Sequence, residues 1–393
     1  MSAIYQSILH PSEIYSLVKY KLLDEKPEKT RLNHLLNITS RSFARVIQSL
    51  DPEIRQAVCI FYLVLRGLDT VEDDMTIPKE EKIPLLRVFH EKIYEKGYCY
   101  YGNGPNEKDA VLLHSFDHVI EEFLKLKPKY QKVIADITKR MGNGMADFIT
   151  KKVETMQDYN LYTHYVAGLV GIGLTELFKE SNLEKELDLD QANEMGLFLQ
   201  KTNILKDFVT DLEEGRLFWP KQVWEQYVND PKDFVLPENR EKALSCLNDL
   251  VADALELVPS CLSYMSKLEN KSVFHFCAIP QVMAIATLVL FFNNYSVFEK
   301  SVKIRRGLAV KLITEITDFE KMKQLYYDYA LEINEKARNV DGEYNIGRVT
   351  EACANIVRWI RADDQRKQVT RKTTGYVYYI LLFMVLAVVF ISQ

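Results

Sequence analysis

The chain has 393 residues, 47% of them hydrophobic, which is ample for a large buried core in one domain or two. A formal net charge of -5, with no Lys/Arg block in the body, argues against nucleic acid as the main partner. The six cysteines stand singly, with no CxxC and no His at ligand spacing, which argues against a zinc site and a disulfide framework.

Only 15 Gly and 12 Pro occur, and most segments are long and rich in Leu, Lys, Glu and Ala, a composition that favours helix. The N-terminal MSAIYQSILHPSEIYSLVKYKLL has no basic region followed by an uninterrupted apolar one, so no signal peptide is read there. An apolar helix is expected from about Pro52 to Asp74, stopped by Pro78 and Pro84. Tyr98 to Asp109 reads as a long loop, because Gly102, Asn103, Gly104 and Pro105 cannot continue a helix. Helices are expected over Val111–Lys125, Lys129–Val153, Leu161–Lys179 and Leu189–Glu214, the last ended by Trp219 and Pro220. Others follow over Arg240–Leu268, Ile279–Asn293 and Asp318–Ala337, the last of these exposed and amphipathic. The Asn339–Asn345 stretch breaks the pattern, and period-2 alternation is almost absent, so the body is expected to be nearly all α.

After a polar linker, ADDQRKQVTRKTT, the chain runs uncharged from Gly375 to Gln393. As a helix, Gly375 to Ile391 would rise roughly 26 Å, close to the ~27 Å hydrocarbon thickness of an endoplasmic reticulum bilayer. Tyr376, Tyr378 and Tyr379 suit an interfacial belt, and Arg366, Lys367, Arg371 and Lys372 would hold the body in the cytosol. The formal glycosylation sequons at Asn37, Asn270 and Asn294 should then carry no sugar. The expected organisation is a catalytic all-α body over 1–338, a helical or polar linker over 339–374, and a transmembrane anchor over 375–393.

The chemistry is sought in the acids. Four carboxylates crowd the end of the first apolar helix, in LVLRGLDTVEDD. Their density is no more than composition yields by chance, but their position is informative. Asp69, Glu72 and Asp73 stand at i, i+3 and i+4 and leave one helix face together. Carboxylates at the mouth of a core repel strongly unless a cation joins them, and oxygen-only ligands suit Mg²⁺. A second stripe, Asn203, Asp207 and Asp211 at i, i+4 and i+8, marks the otherwise apolar GLFLQKTNILKDFVTDLEEGR. Either motif alone reads more readily as a solvated helix end. Two such stripes facing each other would roof a cavity with Mg²⁺, able to draw a diphosphate off a hydrocarbon.

At this point LRGLDTVEDDM, HYVAGLVGIGL and GLFLQKTNILKDFVTDLEEGRLFWP resemble the signatures of the squalene synthase family of head-to-head isoprenyl diphosphate synthases. TSRSFARVIQSL and FCAIPQVMAIATL match the same family in the same order. The resemblance covers nearly the whole body and implies a single large helical domain of the class I terpenoid synthase type with a central cavity. It implies that two farnesyl diphosphates condense to presqualene diphosphate, which NADPH then reduces to squalene, on an endoplasmic reticulum membrane enzyme with a monomeric catalytic domain. By the same resemblance Asp69, Glu72 and Asp73, with Asp74 beside them, and Asn203, Asp207 and Asp211 fall on the two metal motifs. Arg41, Arg66 and Arg216 fall on diphosphate-binding positions, where a guanidinium can donate bidentately. Tyr162 falls on the tyrosine of the first half-reaction, whose ring can steady a cation and whose oxygen can relay a proton.

Phe43, Tyr62 and Phe276 are placed as wall residues around the chains. Gly168, Gly171 and Gly173 do not spell a dinucleotide fingerprint and read instead as close-packing positions, so NADPH must bind without a Rossmann unit. VKIRRG resembles the family stretch associated with that cofactor, giving Lys303 and Arg305 as phosphate partners with Ser40 and Ser42 nearby. Two positions depart from the family pattern: Thr210 stands where Glu is usual and Lys206 where Arg is usual. The rival readings are a phytoene or dehydrosqualene synthase, which needs no reductant, and a membrane-tethered helical adaptor without chemistry.

Overall fold

The computed structural model describes residues 31–40, 43–340 and 344–391, with the side chains of the last helix described as far as Val369. Expectations for the N-terminal stretch, for Arg41 and Ser42, and for the side chains of the C-terminal apolar run lie outside the described residues. No strand occurs among the described residues.

The helix Pro52–Asp73 forms where expected. Asp51 caps it by accepting from the Glu53 amide at 3.0 Å, and Pro52 occupies the first turn, where no amide hydrogen is required. Ala57, Val58, Cys59, Ile60, Phe61, Leu63 and Val64 are buried, and together they wrap most of its circumference, so the helix is central. Each such side chain withdrawn from water contributes roughly 1.5–3 kcal/mol before the entropy of ordering it is counted. The helix stops at Asp74, whose extended backbone leaves the spiral. Its buried carboxylate accepts from the Thr76 amide (2.9 Å) and hydroxyl (2.6 Å), the Gly104 amide (2.8 Å) and the Asn103 side chain (3.0 Å). Asp74 therefore ties the Tyr98–Asp109 loop to the helix end and is spent on structure.

Around this helix lie Lys79–Lys92, Pro128–Phe148, Leu169–Glu180 and Leu189–Lys206, each packed on the next. The last two cross so closely that a Cβ on Gly171 would lie 2.2 Å from the Ala192 carbonyl oxygen, which explains the glycine there.

Several expected helices are interrupted for local reasons. Pro84 does not stop a helix but sits inside Lys79–Lys92. Val111–Lys125 resolves into Ala110–Leu113 and Phe116–Phe123. The expected Leu161–Lys179 helix begins at Met156, where Thr155 and Asp158 form a reciprocal capping box, and passes through a π turn at His164–Gly168. Leu189–Glu214 breaks at Asp207 into Leu189–Lys206 and Phe208–Glu213. Pro259 at the start of Val258–Met265 separates that helix from Arg240–Leu255.

Lys271–Phe291 starts earlier than Ile279 because the Asn270 side chain caps it, accepting from the Ser272 and Val273 amides. Among the described residues it is the one helix long and apolar enough to cross a membrane, with mean hydropathy 2.0, but 78% of that stretch is buried in the body, so it is the core helix. Phe319–Arg338 sinks Met322, Tyr326, Ala330 and Ile333 and exposes its other side. From Ile346 the chain is one helix to Ile391, whose first turns bury Val349, Cys353, Ile356 and Ile360 against the body. Lys323, buried, clamps this helix through Asp363 (2.9 Å), which also pairs with Lys367 (3.0 Å).

Candidate active site

Asp69, Glu72 and Asp73 from the end of Pro52–Asp73 and Asn203, Asp207 and Asp211 from the broken helix pair line one cavity of about 280 Å³. The two stripes that the spacing singled out thus face one another. The break at Asp207 does not disperse the second, because the Asp207 amide donates to the Asn203 carbonyl and the Asp211 amide to the Asp207 carbonyl, both at 2.9 Å. Tyr162, Arg66 and Arg216 line the same cavity, whereas Asp74 and Tyr62 do not.

Arg216 joins the stripes. Its guanidinium donates to Asp73 at 2.8 Å, to Asp211 at 3.2 Å and to Glu214 at 2.7 Å. The turn that delivers it uses Gly215 with φ 74°, a left-handed conformation that favours glycine. Arg66 donates to Asp109 at 2.6 Å, leaving its Nε without a partner among the described residues. Lys206 donates to Asn203 at 3.0 Å and lies 3.3 Å from Asp207.

The electrostatics show a site short of positive charge. Asp69 keeps surface only toward the cavity, and burial pushes its pKa up to about 7, against the pull of Arg66 and helped by Asp73 and Asp109. Burial, then Asp73 and Asp69, push Glu72 to about 8 against Arg216 and Lys82. Burial lifts Asp211 to about 6 despite Arg216. Among the described residues no three His, Cys, Asp or Glu side chains converge into a ready cage. Burial, with repulsion between neighbouring acids behind it, raises Asp69, Glu72 and Asp211. The donor set is oxygen only and spread over two helices. It fits a hard cation that keeps waters and shares its shell with phosphate oxygens.

Tyr162 is buried between Phe218, stacked at 4.7 Å, and Phe148 at 5.2 Å. Burial first, and then Glu72 and Asp73, hold its phenol well above the usual range, so it stays neutral. It lies two residues before the π turn, a distortion frequent at functional sites.

Asn203 and Lys206 also line a second, larger cavity of about 970 Å³, walled by Phe43, Leu199, Ile279, Met283 and Val310 among others. Arg45, Lys206, Lys303 and Arg306 bring positive charge to its wall, and no carboxylate lines it. Lys303 lines this cavity, and Arg306, not Arg305, shares the wall with it. The Ser40 hydroxyl donates to the Leu36 carbonyl at 2.7 Å. Phe43 packs on the buried Phe276 at 5.4 Å, which stands behind the wall. Tyr62, half-buried, packs against the core one turn before Arg66. Sequence reasoning missed Gln200, although it stands one turn before Asn203 on the same stripe, and Phe218 and Arg306, which sit in no periodic polar stripe.

Facing carboxylate stripes, phosphate-type guanidinium groups and an apolar chamber in an all-helical body define the helical isoprenoid synthase class. Within it, the chain belongs to the squalene/phytoene synthase family, which it matches over residues 36–307. It is 49% identical to a squalene synthase of Rattus norvegicus over 347 residues, 84% of this chain and 83% of that protein. The solved complex of TcSQS with the ligand E5700 aligns at TM-score 0.81 and 46% identity, covering 84% of this chain and 97% of that one. A dehydrosqualene synthase structure aligns at TM-score 0.50 with 18% identity over 78% of this chain and 97% of that one, a likeness of fold alone.

Proposed function

We propose that the protein joins two farnesyl diphosphates head to head into presqualene diphosphate and reduces this to squalene with NADPH. The observation that carries the site assignment is the meeting of the two acidic stripes across one cavity that adjoins a large apolar one through Asn203 and Lys206. Asp69, Glu72, Asp73, Asn203, Asp207 and Asp211 would hold Mg²⁺, which supplies Lewis-acid withdrawal of charge from a departing diphosphate. Arg216 and Arg66, with Arg41, bind and orient the diphosphate oxygens. The apolar walls hold the prenyl chains and exclude water, which would otherwise quench an allylic cation. The neutral Tyr162 lies beside the acids, where its ring faces the developing cation and its oxygen can pass on the proton lost on cyclopropane closure. Lys303, with its neighbours Arg305 and Arg306, would hold the phosphates of NADPH, the hydride donor of the second half-reaction.

The basic run Arg366–Lys372 and the apolar run that follows support anchoring in the endoplasmic reticulum membrane with the body in the cytosol. Product analysis tests the reaction. The full chain in detergent, given labelled farnesyl diphosphate and Mg²⁺, should accumulate presqualene diphosphate alone and make squalene when NADPH is added. An unsaturated C30 hydrocarbon formed regardless of NADPH, or no diphosphate release at all, would overturn the proposal.

A further inference from the structure

Behind the acidic cavity lies another, of about 620 Å³, separated from it by a partition of four residues that line both: Glu72, Tyr162, Arg216 and Phe218. The charge reverses across that partition. The acidic cavity carries five carboxylates against three cations, whereas the far cavity carries Lys79, Lys82, Lys151, Lys152, Lys221 and Arg216 against Glu72 and Glu154 alone.

Some of these cations are already committed. Lys151 pairs with Asp158 at 2.6 Å, and Lys221 lies 3.8 Å from Glu154. The Lys82 amine donates to the Glu72 carbonyl at 2.7 Å, neutralising the C-terminal end of the Pro52–Asp73 helix. Lys79 and Lys152 are exposed and make no ion pair with any described residue.

Two hydrogen-bond donors on the wall point to the kind of ligand. The Arg216 Nε–H and the Trp224 indole N–H are both buried and have no acceptor among the described residues. A buried donor left unpaired is costly, so a ligand rich in acceptor oxygens is the complement.

We propose that this basic cavity receives the inorganic diphosphate released in the reaction, which passes from the acidic cavity across Arg216 and is held by Lys79, Lys82 and Lys152 before it reaches solvent. The idea rests on the reaction proposed above, which frees one diphosphate in each half. Arg216 serves both sides: bonded to Asp73 and Asp211 it closes the partition, and turned to the leaving diphosphate it carries that anion toward the lysines. A basic chamber one wall away removes the product that would otherwise recombine with the cation or block the next ionisation.

The test is calorimetric titration of the full chain in detergent with sodium diphosphate in EDTA. Without a divalent cation the acidic cavity repels the anion, and the part of the isotherm that the variant loses reads the basic one rather than the wall that carries Lys303 and Arg306. Lys79→Glu/Lys152→Glu should weaken diphosphate binding roughly tenfold, and raising salt should erode the wild-type affinity. The variant should keep its KM for farnesyl diphosphate and its melting temperature, since both side chains are exposed. No binding by the wild type, or binding unchanged in the variant, would overturn the proposal. So would a KM for farnesyl diphosphate that rises in step with the lost diphosphate affinity, because the cavity would then hold the substrate's head. The isotherm reads the cavity whatever hydrocarbon is formed, so failure of this inference and failure of the proposed reaction remain separable.

Discussion

The two acidic stripes carry the same kind of ligand on very different mounts. Asp69 and Glu72 project from an unbroken, buried helix, and their pKa values rise to about 7 and 8. The second stripe straddles a break: Asn203 is exposed, Asp207 is the junction between two helices, and only Asp211 is both buried and lifted, to about 6. The first stripe is a rigid half-site held at an electrostatic cost, which a cation would relieve. The second sits where a single residue leaves the helix and can adjust. Arg216 spans the gap, donating to both Asp73 and Asp211.

The sharpest way to break this comparison is to remove one carboxylate from each side. Asp69→Asn and Asp207→Asn should each lower turnover by more than ~1000-fold, with the helical circular dichroism unchanged. Undiminished activity in either would sink the metal assignment. Tyr162→Phe should cost the first half-reaction ~100-fold, and a variant that makes presqualene diphosphate at the normal rate would contradict the role given. Replacing Arg216 by Lys keeps the charge but loses the fork that reaches both stripes, so kcat/KM should fall ~10-fold, most of it recoverable with more Mg²⁺.

Acidity separates the stripes further. Mg²⁺ binds the deprotonated forms, so its half-saturating concentration should fall as pH rises from 6 to 8, mainly through Asp69 and Glu72. The stability of the metal-free protein changes in the opposite direction from its Mg²⁺ affinity. The folded state holds these protons while the unfolded chain gives them up near the usual carboxylate values. The contribution of these groups to stability is therefore lost as pH rises toward 8. Mg²⁺ with a non-reacting prenyl diphosphate should raise the melting temperature more at pH 8 than at pH 6, and the opposite order would contradict the raised values. The smallest effect belongs to Thr210→Glu. Thr210 is exposed and does not line the cavity, so restoring the usual acid should shift Mg²⁺ half-saturation by no more than ~3-fold.

The all-helical class and the two stripes were legible in the sequence because both are matters of spacing: apolar residues at the helical period, and acids three or four apart on one face. What lay hidden depends on chain pairing. Asp74 stands beside the first metal motif, yet besides Thr76 its partners are in a loop some 30 residues away, and only the fold shows it tying that loop to the helix end. The π turn after Tyr162 and the break at Asp207 are local departures that apolar periodicity absorbs without trace. Arg306 in place of Arg305 on the cavity wall is a matter of where the helix Arg306–Glu315 starts, and boundaries are the weakest signal in a sequence. The basic cavity draws its lysines from three separate segments, so no local pattern announces it.

The central claim is that one set of cations is shared between the two stripes, displacing Arg216. Crystals of the protein grown with Mn²⁺ and a non-hydrolysable farnesyl thiodiphosphate would decide it through the anomalous signal of the metal. The expected result is Mn²⁺ ligated from both stripes, through Asp69 or Asp73 on one side and Asp207 or Asp211 on the other, with Arg216 moved from Asp73 onto the diphosphate. Metal confined to one stripe, or Arg216 still bonded to Asp73 beside bound substrate, would contradict it.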